Sequence, residues 1–84
     1  MDLGDPISYL ALEQRTPVFS ADGHEIGRVA EVVADAEADI FDGLILDLDD
    51  GGRRFIEGER VIAMHERGVV LTVDAGEAKQ LPVP

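Results

Sequence analysis

The sequence has no cysteine, no tryptophan, a single lysine and only four aromatic residues. The lack of cysteine rules out disulfide staples, thiolate metal sites and thiol nucleophiles together. With Tyr9, Phe19, Phe41 and Phe55 as the whole aromatic content, any core must be built from Val, Ile and Leu. Basic side chains are also scarce, at 7 against 18 acidic ones, for a formal net charge of −11. A field of that sign repels phosphate, so direct nucleic-acid binding is disfavoured, and so is binding to anionic membranes. A basic protein would instead be attracted. No apolar run approaches the roughly 20 residues needed to span a bilayer. The opening residues Met1–Asp5 carry neither the basic nor the apolar region of a secretory leader. Together these features predict a cytoplasmic location without membrane insertion.

The chain of 84 residues has room for one core. Its apolar fraction of 45% is that of an ordinary globular domain rather than of a disordered acidic segment. The pattern along it is one of short strands separated by turns. Strands are predicted over 17–20, 25–34, 40–49, 53–57, 61–66 and 69–73 from alternation of apolar residues. The clearest is the third, where Leu44, Leu46 and Leu48 share one face and Ile45, Asp47 and Asp49 the other. Asp22-Gly23 and Asp50-Gly51 are strong hairpin signals, and Glu66-Arg67-Gly68 makes a third turn. Gly27 and the broken alternation of the second strand predict a bulge or bend. Ile62 and Met64 are expected on one face of the fifth strand, and Val69, Leu71 and Val73 on one face of the sixth.

The ends are less regular. Asp5-Pro6 is compatible with a helix start. The reading preferred here is an extended arm at 8–10 followed by a helical turn at 12–15, because Thr16 precedes a proline and must be extended. Asp74 and Glu77 are spaced as a variant capping box that opens a short C-terminal helix, ended by Leu81-Pro82. The predicted domain is therefore 8–81, with 1–7 and 82–84 as loose termini. Six strands without a crossover helix predict a mainly β fold, a small six-stranded antiparallel barrel with short helical turns near the termini.

Three segments carry a resemblance. Thr16-Pro17-Val18, then Asp22-Gly23-His24-Glu25-Ile26-Gly27-Arg28-Val29, then Phe41-Asp42-Gly43-Leu44-Ile45-Leu46, resemble the PRC-barrel family. That family is named for the cytoplasmic domain of the photosynthetic reaction-centre H subunit and includes the C-terminal domain of the ribosome-maturation protein RimM. Glu66-Arg67-Gly68-Val69-Val70-Leu71 resembles the last hairpin of stand-alone bacterial members. The resemblance runs from about Leu10 to Leu81. It implies a six-stranded barrel used as an interaction module, with Gly23, Gly27, Val29, Gly43 and Leu44 as structural positions and no shared catalytic residues. Neither the membrane helix of the H subunit nor the RNA-associated domain of RimM is expected in these 84 residues, so neither role is carried over.

The residues themselves predict no enzyme. A small barrel filled by its own side chains offers no buried cleft in which paired carboxylates could acquire raised pKa values. Ser8 and Ser20 fit local turns and have no base partner in view. His24 and His65 are the only histidines, and nothing in the sequence brings them together. Between Arg28 and Arg53 the chain carries eight acids and no base, including the loop residues Asp35, Glu37 and Asp39 and the nearby Asp42. That stretch fails the calcium-loop template. Such a charge run ordinarily makes a solvated face; if it has a job, that job is recognising a basic surface. Phe41 and Phe55 are candidate interface anchors, since interface centres favour aromatics, or else they complete the core. The expected function is a non-enzymatic protein–protein adaptor, with self-association to a homodimer as one form of it, using Asp35, Glu37, Asp39, Phe41, Asp42 and Phe55. No cofactor is expected. The alternative is a divalent-metal or small-ligand module that uses the acidic loop or the histidines.

Overall fold

The computed structural model describes residues 2–84 and contains six strands, two 3-10 turns and one short helix. The strands are β1 (Pro17–Phe19), β2 (Glu25–Asp35), β3 (Ile40–Leu48), β4 (Arg53–Glu57), β5 (Val61–His65) and β6 (Gly68–Leu71). The helix α1 spans Ala75–Ala78. The β1–β2 and β3–β4 turns fall where the Asp22-Gly23 and Asp50-Gly51 pairs stand. Gly23 and Gly51 adopt φ of +86° and +90°, which a residue with a Cβ tolerates poorly. The Ser20 hydroxyl and the Asp50 carboxylate tie these turns to their own backbones.

The strands form one sheet in the order β4-β3-β2-β1-β6-β5. It is mixed rather than wholly antiparallel as expected, because β1 and β6 run parallel, with Val18 opposite Val69 and Phe19 opposite Val70. Local hairpins account for the antiparallel neighbours. The β1–β6 contact joins strands about fifty residues apart and owes nothing to a hairpin. Nor do backbone hydrogen bonds close the sheet, since β4 and β5 remain its two edges. They are consecutive in the chain and joined only by the 3-10 turn Gly58–Arg60, so the sheet curls without closing by hydrogen bonds.

Alternation decides what the curled sheet covers. Val18, Val29, Leu44, Leu46, Leu48, Ile56, Val69, Leu71 and Val73 are buried together. Register shifts between Val29 and Glu31 and between Val33 and Ala34 absorb the irregular pattern of β2 and bend it. Gly27 sits where a Cβ would collide with the backbone of Asp47 and Leu48, so the two strands approach closely there. A shift between Val61 and Ala63 corrects one expectation: it leaves Ile62 61% exposed instead of beside the half-buried Met64.

Both ends of the chain pack on the sheet edges. The expected helical turn at 12–15 is absent, and a 3-10 turn occupies Tyr9–Ala11 because the Ser8 side chain caps the Leu10 amide. Leu3–Ile7, expected to be loose, runs along β5. The Ile7 amide donates to Met64 O at 3.0 Å, Glu66 to Asp5 O at 3.0 Å and Arg67 to Leu3 O at 2.8 Å. Met1 lies outside the described residues. At the other edge Phe55 donates to Pro82 O at 2.8 Å. The capping box is present, with Glu77 N bonded to Asp74 at 2.7 Å and Asp74 N to Glu77 at 3.1 Å. It orients α1 so that Ala78 and the following Leu81 are buried against the core.

Candidate functional site

The tip of the β2–β3 hairpin gathers most of the residues singled out from the sequence. Asp35 ends β2, Ala36–Asp39 make the turn, and Ile40 opens β3. The Asp35 carboxylate accepts from the Ala38 amide at 3.3 Å, and Asp39 takes a left-handed φ of 54° that lets the chain reverse. Asp35, Glu37, Asp39 and Asp42 are all exposed. None of the four takes part in an ion pair among the described residues. The chain places an uncompensated negative field there.

An aromatic pair lies beside that field. The rings of Tyr9 and Phe41 stack with centroids 5.4 Å apart and planes at 17°. The Tyr9 hydroxyl donates to Asp39 Oδ1 at 2.8 Å, and this bond together with the neighbouring carboxylates raises the phenol above its ordinary pKa. Phe41 is half-buried, packed against the edge of the core with its ring over Gly58. Ile40, next to it, is 50% exposed. Tyr9 is not among the residues singled out from the sequence, because only the fold brings a residue of the N-terminal turn across to the hairpin.

Phe55 lies further along the same sheet. It pairs across strands with Ile45, and Gly43 leaves room for its ring, where a Cβ would stand 2.9 Å from the aromatic edge. Ile45 and Phe55 are half-buried on the face opposite the leucine core, where Glu31 also pairs with Ile45 and Asp47 binds Arg53. Neither Phe41 nor Phe55 belongs to the fully buried core. The Arg53 guanidinium grips Asp47 with contacts of 2.8 and 3.2 Å and holds that carboxyl below the usual range.

The remaining candidates stay apart from this tip. His24 is exposed in the β1–β2 turn, 3.6 Å from Asp22, whose carboxyl is held low chiefly by the Ser20 hydroxyl. His65 Nδ1 bonds to Gly4 O at 3.0 Å. Among the described residues no three His, Asp or Glu side chains converge as metal ligands would. A groove of about 350 Å³ opens between α1 and the β3–β4 turn, with Ile26, Leu48 and Ala78 below Glu25, Asp49, Asp50 and Lys79. No helix among the described residues is long and apolar enough to cross a membrane.

None of the curated proteins matches the chain. A family model, described as the PRC-barrel domain, matches residues 14–79, most of the length and all six strands. The chain therefore belongs to the PRC-barrel domain family.

Proposed function

We propose that this domain is a non-enzymatic interaction module that holds a basic protein segment at the β2–β3 hairpin tip. One observation carries the reading: the exposed carboxylates of Asp35, Glu37, Asp39 and Asp42, none of them ion-paired among the described residues, share a hairpin with Phe41, whose ring stacks on Tyr9. The carboxylates supply long-range attraction and orient the partner, which sets association rate and selectivity. The aromatic pair and exposed Ile40 supply the apolar contact that keeps it. The overall charge of −11 excludes partners of like sign and reinforces the choice. The PRC-barrel family membership supports a small adaptor of this kind.

The test is capture from native lysate by the immobilised chain, run beside a variant with Asp35→Asn, Glu37→Gln and Asp42→Asn. Basic proteins retained at about 50 mM salt should be released near 0.5 M, where the screening length falls to a few ångströms. The neutralised variant and Phe41→Ala should both fail to retain them. Equal retention by the parent and both variants would refute the hairpin tip as the binding surface.

A further inference from the structure

Leu3–Ile7 behaves toward β5 as a bound ligand would. The segment lies antiparallel to β5, with Pro6 opposite His65, and satisfies backbone groups at Met64, Glu66 and Arg67 that a bare sheet edge would leave open. Side chains add to the main-chain pairing. The Glu66 carboxylate accepts from the Asp5 amide at 3.0 Å, His65 bonds to Gly4 O at 3.0 Å, and Arg67 pairs with Asp2 at 3.4 Å. Leu3 is seated in a notch made by Gly68 and Phe19. A Cβ on Gly68 would stand 2.8 Å from Leu3 and 2.9 Å from the Phe19 ring. The arm precedes the family-matched region, and the extended Ser8 joins it to the turn at Tyr9–Ala11. Its grip is shallow, since Asp2, Asp5 and Pro6 are exposed and Leu3 and Ile7 only half-buried.

We propose that this arm is exchangeable, so that two copies dimerise by each laying residues 3–7 on the other's β5 edge. The occupant is a second copy because every contact that selects the arm in cis is available unchanged in trans. The hydrogen bonds, the Leu3 notch and the Arg67–Asp2 pair are the same in both states, which is what makes such swaps a low-cost route to dimers. The balance then rests on the tether, whose effective concentration is of millimolar order for a short flexible link. The like charge of two copies opposes their approach, so salt should favour the dimer. Capture of a basic partner at the hairpin tip responds to salt in the opposite sense, which keeps the two readings separable.

The chain contains no cysteine, so single thiols report cleanly. Pro6 and His65 form the antiparallel pair lying between the two backbone bonds, where Cα atoms stand about 4.5 Å apart and a disulfide fits. Pro6→Cys and His65→Cys chains, refolded together near millimolar concentration and oxidised, should give a mixed disulfide dimer in excess of either homodimer. Its yield should rise with protein concentration and with salt. Independently, the unsubstituted chain should double its mass in solution over the same range, and Leu3→Asp should abolish the doubling. An unsubstituted chain that stays monomeric would overturn the proposal. So would a Pro6→Cys/His65→Cys chain that bridges only within itself while the mixed single variants stay unlinked.

Discussion

At the scale of single residues, ionisable groups make contacts whose stability contribution has a definite sign with pH. Arg53 depresses the Asp47 carboxyl and the Ser20 hydroxyl depresses Asp22. A carboxyl lowered in the folded state stabilises the fold above its unfolded value, about 3.9, and the contribution is lost as pH falls through the folded value. Asp47→Asn should therefore lower the urea midpoint at pH 7, and the gap from the parent should close below about pH 4. Tyr9 runs the other way. Its raised pKa stabilises the fold below the unfolded value near 10 and the contribution is lost as pH rises through the folded value. Tyr9→Phe should differ from the parent at neutral pH and converge with it in strong alkali. Gly43 shows a third kind of residue effect, through space rather than charge. An added Cβ would meet the Ile56 carbonyl and the Phe55 ring, so Gly43→Ala should cost on the order of 1–3 kcal/mol in chemical denaturation, as overpacking does.

At the scale of elements, what the sequence made legible is what neighbours along the chain decide. The Asp-Gly turns, the leucine face of β3 and the Asp74–Glu77 box all rest on contacts spanning a few residues, and all are present. Asp74→Ala should cost about 1 kcal/mol, the usual value of a helix cap, read as a fall in thermal midpoint. The loss should loosen Ala78 and Leu81, since a four-residue helix has little else to hold its direction. What the sequence did not disclose is pairing between distant segments. The parallel β1–β6 contact depends on the whole barrel curling, and so does the arm on β5. The bulge that turns Ile62 outward is invisible to a simple alternation rule, because one skipped residue moves the side chain to the other face. The tip was partly legible. Asp35, Glu37, Asp39 and Asp42 are close in sequence, and a hairpin keeps them close in space. Tyr9 reached the same place through the fold alone.

At the scale of the molecule, an aliphatic interior and a carboxylate-rich exterior divide the work between stability and recognition. The buried hydrophobic positions are Val, Leu and Ile apart from Ala78, whereas the half-buried aromatics Tyr9, Phe41 and Phe55 stand outside that interior. The edges left by an open sheet are covered by the chain's own ends, with Leu3–Ile7 on β5 and Pro82 on β4. The hairpin tip combines exposed Ile40 with four carboxylates that make no ion pair among the described residues. The most direct measurement of this claim is a backbone amide chemical-shift map of the isotope-labelled chain, recorded as a captured, salt-sensitive basic partner is added. The largest changes should fall on Tyr9 and Asp35–Asp42. Changes confined to α1, the β3–β4 turn or the β5 edge, with the tip unmoved, would contradict it.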